Sequence, residues 1–150
     1  MSELLNENTV VSYLTARGVI SGPAEVEILT GGVSNVVLAI KTNNKDLVLK
    51  HALPQLKVKQ EWLADQRRAI VEADAMRLFH SITPDAVPEI IDNDPVEFTV
   101  TMQRLPRDCV NWKEEMLANR ANPIIGTRLG KILATWHNFG ATDESARNKF

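Results

Sequence analysis

Cysteine is almost absent: Cys109 stands alone in 150 residues. One thiol excludes an internal disulfide framework and fits a reducing compartment, so the cytoplasm is the expected location. Long apolar runs are missing too. No stretch approaches the roughly 18 residues needed to span a bilayer, and the opening Met-Ser-Glu-Leu-Leu-Asn-Glu carries acid where an export signal carries base. Neither membrane insertion nor export is expected. No sign of charge dominates, since a formal net charge of −2 gives no general pull toward nucleic acid or an anionic membrane. Aromatic residues make up only 5% of the chain, and the strand-like segments hold only Phe98. A sheet that reads nucleic acid by stacking needs more than one aromatic, so nucleic acid is not an expected partner.

What is present is an ordinary globular mixture, 44% hydrophobic and 24% charged, long enough for one domain with a core or one domain plus a piece of another. Val10, Tyr13, Leu14 and Arg17 fall at helical spacing ahead of Gly18, which predicts a short helix over 9–17. Alternation predicts strands over 25–30, 33–40 and 47–50, with a polar turn at 42–46, and three strands in a row imply an antiparallel meander. No proline or glycine occurs between Pro54 and Ser81, and Asp65 is placed to cap a helix over 65–81 whose apolar stripe includes Ala69, Ala73, Met76 and Phe79. Residues 87–102 read as a hairpin, with a strand at 89–91, a turn at Asp92-Asn93-Asp94-Pro95, and a second strand at 96–102 that lines up Phe98, Val100 and Met102. Beyond Pro106 the texture is helical, with Leu129, Ile132, Leu133 and Trp136 at i, i+3, i+4, i+7. This shift sets a domain boundary between 1–104 and 105–150; the segment after Gly140 has little to bury.

Three features bear chemistry. Gly31 and Gly32, followed by Ser34 and Asn35, interrupt a strand-like stretch with a bend whose backbone amides could cover phosphate oxygens. Taken alone, they read more readily as a bulged or tight hairpin with no ligand. Lys50 ends the next strand, where a lysine is ordinarily just solvated. Glu72 shares the inward helical stripe with Ala75, Met76 and Phe79, and a half-buried carboxylate there needs a cation, either Arg68 on the preceding turn or Lys50. Glycine bend, strand lysine, helix glutamate and a hairpin ending in a linker follow one another in the order of a kinase ATP lobe. Other features have plainer readings: Asp92 and Asp94 as turn residues rather than metal ligands, His137 as a structural hydrogen-bonded histidine, Lys57, Lys59, Arg67 and Arg68 around Trp62 as a solvated helix approach, Cys109 as a linker thiol, and Trp112 as an anchor for the second part of the chain.

The chain resembles the aminoglycoside phosphotransferase and choline kinase superfamily of small-molecule kinases. The resemblance is carried by Gly31-Gly32-Val33-Ser34-Asn35, "VLK" at 48–50, "VEADAMRLF" at 71–79, "VPEII" at 87–91, "VTMQRLP" at 100–106 and "GTRLGKILATWH" at 126–137. It departs at Leu38, where an aromatic is frequent, and at Gln103 and Arg104, where an acidic residue is common. The resemblance implies an α+β fold: a kinase-like N-terminal lobe of a mostly antiparallel five-stranded sheet plus one long helix over 1–104, then a hinge and the first helices of an incomplete second lobe over 105–150. It implies ATP and magnesium, with Gly31, Gly32, Ser34 and Asn35 over the phosphates, Lys50 paired to Glu72, Met102 as gatekeeper, and the Gln103 carbonyl and Leu105 amide facing adenine. Pro106 has no N–H to share that role.

Nothing in 107–150 matches the family's His-Gly-Asp catalytic loop or its later metal-binding aspartate. The expectation is therefore a chain that stops short of the catalytic loop, has no catalytic residue or metal ligand of its own, and does not turn over alone. A nucleotide and a small-molecule hydroxyl substrate are the expected partners, together with a homodimer formed through the apolar stripe of 126–139. The competing expectation is a non-catalytic nucleotide-sensing or self-associating module.

Overall fold

Alternating apolar residues on one long ladder lay down the frame of this chain. The computed structural model describes residues 3–30 and 32–149. Helix α1 (Val10–Ala16) precedes strands β1 (Glu25–Ile28), β2 (Asn35–Lys41) and β3 (Asp46–Ala52); then come α2 (Arg68–Ile82), a single 3₁₀ turn (Pro84–Ala86), and strands β4 (Ile90–Asp94) and β5 (Thr99–Gln103). Helices α3 (Trp112–Leu117), α4 (Pro123–Thr142) and α5 (Glu144–Lys149) complete the chain. The fold class is α+β. Its one sheet has five strands in the order β1-β2-β3-β5-β4, every neighbour antiparallel, compatible with a kinase-like N-terminal lobe. Among the described residues no helix is long and apolar enough to cross a membrane.

Two compact units divide the chain. The first takes Met1–Arg77 and Pro88–Arg104, the second Leu78–Val87 and Leu105–Phe150. Within the first, period-two alternation gives each side of the sheet its own core. Leu38 and Ile40 of β2 join Leu47 and Leu49 of β3 against Val10 and Leu14 of α1 and against Val19 and Ile20 beyond it. Ala52 of β3, with Val100 and Met102 of β5, faces Ala69 and Ala73 of α2, and Val48, Met76, Ile90 and Phe98 pack at the edge of this second cluster. The two alanines one turn apart are small enough to let α2 lie close to the strands. Helix α1 thus covers one side of the sheet and α2 the other; the sequence stripe had pointed only to the second.

Two local expectations need correction. The long helix begins at Arg68, not Asp65. Asp65 Oδ1 instead accepts the Arg67 amide at 2.8 Å, and the lead-in is made of i→i+3 bonds from Ala69 to Gln66 and from Ile70 to Arg67. The hairpin turn lies later than its Asp-Asn-Asp-Pro composition implied. Asp92, Asn93 and Asp94 are strand residues, and the chain reverses over 95–98, with Phe98 at φ 53°. A distant partner overrides turn propensity here. Arg17 spans both carboxylates, reaching Asp92 Oδ2 from Nε at 2.5 Å and Asp94 Oδ2 from Nη1 at 2.7 Å, while Tyr13 donates its hydroxyl to Asp94 at 2.9 Å and lies 2.8 Å from the Thr99 hydroxyl. Asp94 Oδ1 accepts the Val96 and Glu97 amides at 2.9 and 3.2 Å, so one buried carboxylate both closes the turn and fastens it to α1.

In the second unit, Asn111 and Asn122 cap α3 and α4 through side-chain oxygens that accept the Lys113 and Ile124 amides, and Pro123 occupies the first helical position of α4. Trp136 stacks on Phe79 with centroids 4.0 Å apart and donates Nε1–H to the Thr83 hydroxyl at 2.8 Å. His137, expected to be a structural hydrogen-bonded residue, lies exposed beside it; the indole takes that role.

Burial and the clasp each make a prediction. Leu14 is fully buried, so Leu14→Ala should cost about 2–5 kcal/mol by urea denaturation, against about 0.5 kcal/mol or less for Leu117→Ala at 76% exposure. Asp94 is pushed up by burial, but the Val96 and Glu97 amides, the Tyr13 hydroxyl and the Arg17 charge outweigh that and hold its carboxyl below the ordinary value. His51, mainly through burial, is held below its ordinary 6.5, opposed by the charge of Glu97. In both cases the unfolded chain takes up the proton first on acidification. Stability should therefore fall as pH drops below 6.5, where His51 begins to contribute, and fall further below 3.8, where the unfolded aspartate titrates. Asp94→Asn should flatten the second part of that slope and lower stability at pH 7 by on the order of 1–3 kcal/mol.

Candidate functional site

Strand β3 hydrogen-bonds on both edges, and its register sets Lys50 opposite Val37 of β2 and Val100 of β5. Alternation turns Leu47, Leu49 and the buried His51 toward the α1 side and sends Lys50, with Val48 and Ala52, toward α2. Glu72 stands one helical turn after Arg68, next to the buried Ala73, and accepts a hydrogen bond from Lys50 Nζ through Oε1. The pair is half-open, with the lysine side chain 25% and the glutamate side chain 37% exposed. At such exposure an ion pair contributes about 0–1 kcal/mol to stability, so its consequence is geometric. The ammonium is held in one place while keeping two of its three N–H donors for other acceptors.

Arg68, the other cation within reach of Glu72 in the sequence, is engaged elsewhere. Its Nη2 donates to the Ser34 carbonyl at 2.6 Å and the Leu53 carbonyl at 3.0 Å, and Nη1 to the Asp65 carbonyl at 2.8 Å. Sequence reasoning missed this contact because Ser34 and Leu53 offer main-chain oxygens, which no residue type advertises. The i, i+4 placement of Arg68 and Glu72 on one helix face pointed to a pair that the structure does not form.

Gly31 lies outside the described residues. At Gly32 no heavy atom lies within 4 Å of where a Cβ would be, so that position opens onto free space. The returning strand is held firmly just beyond it: the Val33 carbonyl accepts the Lys57 amide at 2.8 Å, the Ser34 carbonyl accepts the Leu53 amide at 3.0 Å, and Asn35 Nδ2 donates to the Ser34 hydroxyl at 3.1 Å. Asn35 pairs with Ala52 in the same ladder that pairs Val37 with Lys50, so the bend runs directly into the strand beside the lysine. Met102 is buried opposite Val48, two residues along β5 from Val100, which faces Lys50. Gln103 is the exposed last residue of β5, its amide donating to the Glu89 carbonyl at 2.9 Å. Leu105, 57% exposed, belongs to the second unit.

Asn35, Lys50, Met102 and Glu72 thus stand on β2, β3, β5 and α2 of the first unit, with Ser34 just before β2 and Gln103 at the end of β5. Asp92 and Asp94 are occupied by Arg17, and among the described residues no group of three or more His, Cys, Asp or Glu side chains is placed to hold a metal ion. Lys57, Lys59, Arg67 and Trp62 are exposed, as a solvated approach to α2 requires, whereas Arg68, expected with them, is half-buried and bonded to main-chain carbonyls; Cys109 is an exposed free thiol. Chemically, a fixed ammonium beside an open glycine bend is a place for anionic oxygens.

No family model matches the chain. It is similar to proteins named methylthioribose kinase: 28% identical over 134 residues to that of Bacillus mycoides strain KBAB4 and 29% over 134 residues to that of Bacillus cereus strain G9842, each alignment covering 87% of this chain and 34% of the relative. The Bacillus thuringiensis strain Al Hakam protein of the same name is 28% identical over 151 residues, 95% of this chain and 38% of its own. The chain spans little more than a third of the length of the curated relatives it matches. Over most of its length it is therefore similar to one portion of proteins named as small-molecule kinases.

Proposed function

We propose that the chain is the nucleotide-binding portion of an ATP-dependent phosphotransferase that phosphorylates a hydroxyl of a small molecule. One observation carries this reading: Lys50 and Glu72, 22 residues apart on different elements, meet beside the strand that leaves the glycine bend. In this reading Lys50 neutralises oxygens of the α- and β-phosphates, and Glu72 keeps the ammonium from collapsing onto other acceptors. Main-chain amides of the bend, with Ser34 and Asn35, cover the phosphates. Met102 bounds the adenine, and the Gln103 carbonyl meets its edge. The name shared by the relatives favours a ribose-type sugar hydroxyl as acceptor over an aminoglycoside.

The donor set suits a polyphosphate, since the held ammonium and open bend offer positive charge and room together. It does not suit a bound divalent cation, because among the described residues no carboxylate cluster is free to hold one. We therefore assign magnesium ligation and the activation of the acceptor hydroxyl to no residue of this chain.

A second reading, the self-associating module, is favoured by the outward apolar residues of α4, with Ile124 65% and Leu129 and Leu133 each 39% exposed. It predicts a concentration-dependent dimer in sedimentation and no response to nucleotide.

Thermal melts separate the two. At one hundred times Kd, ATP should add about 2.7 kcal/mol, raising Tm by about 5–10 °C, and Lys50→Ala should abolish that gain while leaving the nucleotide-free melt within about 1 kcal/mol of wild type. A gain that survives Lys50→Ala, or no gain in the wild type, removes the kinase reading.

A further inference from the structure

We infer that Arg68 is a positioning residue: acting through the Ser34 carbonyl, it fixes the chain where it enters β2 beside the strand of Lys50 and so governs the hold on the polyphosphate without touching it. The inference deepens the nucleotide reading and rests on it.

Three observations support it. The half-buried guanidinium directs its bonds to three main-chain carbonyls, at Ser34, Leu53 and Asp65. A half-buried cation ordinarily takes a carboxylate, and Glu72 is one helical turn away, yet Glu72 is bonded to Lys50. The planar guanidinium acts from two nitrogens at once, Nη2 on the Ser34 and Leu53 carbonyls and Nη1 on the Asp65 carbonyl, a spread that the single nitrogen of a lysine does not reproduce. One nitrogen thus joins Ser34, just before β2, to Leu53, just after β3, and the other ties both to Asp65 in the lead-in to α2. Finally, the Ser34 carbonyl also accepts the Leu53 amide, and the adjacent Val33 carbonyl accepts the Lys57 amide. Among the described residues the anchors of the returning limb thus begin at 33–34, ahead of the β2–β3 ladder, while the position of Gly32 is open.

Helix α2 consequently holds the two halves of the phosphate site from successive turns. Its first residue grips the base of the bend, and the residue four later grips the lysine. A shift of α2 along its axis moves both together.

The test compares ATP with adenosine, which lacks the phosphates, by calorimetric titration of wild type, Arg68→Ala and Arg68→Lys. Arg68→Ala should weaken ATP on the order of tenfold, a 1.4 kcal/mol loss, and leave adenosine within about twofold of wild type. Arg68→Lys, which keeps the charge and loses the fork, should fall closer to Arg68→Ala than to wild type. Without nucleotide, the Leu53 and Lys57 amides should exchange with solvent faster in Arg68→Ala while the amides of β4 and β5 do not change. Equal losses for ATP and adenosine, a wild-type ATP affinity in Arg68→Ala, or a wild-type affinity in Arg68→Lys overturns the inference alone. A wild-type chain that binds no ATP overturns the nucleotide reading and the inference with it. Should Arg68→Ala fail to fold, Arg68→Lys decides by the same comparison of ligands.

Discussion

The site depends on one constraint: a lysine must stand on the α2 side of a strand that is hydrogen-bonded along both edges. A strand in mid-sheet cannot slip by one residue without sending its whole apolar set to the wrong face. In β3 such a slip would exchange Leu47, Leu49 and His51 with Val48, Lys50 and Ala52, taking three buried side chains out of one core and placing an ammonium in it. The cores on the two sides of the sheet therefore fix the place of Lys50 more firmly than its own ion pair does. Glu72 adds direction to a charge that the register has already located.

The two faces of the sheet divide the labour. On the α1 face, leucine, isoleucine and valine fill the core, and Arg17, Tyr13, Asp92, Asp94 and Thr99 lock the β4–β5 hairpin against the helix. These residues have their hydrogen bonds within the fold. On the α2 face the core is thin, built on alanines, and the polar groups beside it keep partial exposure. Such groups contribute little to stability and are for that reason available for binding.

Much of this was legible in the sequence, and the exceptions have a common cause. The alternation in β1 to β3 and the stripe of Ala69, Ala73 and Met76 are local patterns, and the α+β sheet with its long helix follows from them. The meeting of Lys50 and Glu72 could be anticipated because strand parity and helical spacing each point one of them inward. The misplaced hairpin turn, by contrast, was a case of local composition overruled from a distance. Asp92-Asn93-Asp94 has turn chemistry, but Arg17 and Tyr13, more than 70 residues earlier, keep it in the strand. Arg68 escaped notice because its partners are carbonyl oxygens, and the role of Trp136 because Thr83 and Phe79 lie more than 50 residues before it. Local periodicity was readable; long-range polar pairing was not.

The central claim is that Lys50 and Glu72 act as a unit on bound phosphate, and a double-mutant cycle on ATP affinity tests it most directly. If Glu72 works only by orienting Lys50, Glu72→Gln should weaken ATP in the wild-type background and have no further effect once Lys50→Met is present. Losses that simply add, or an ATP affinity indifferent to both substitutions, would contradict the account.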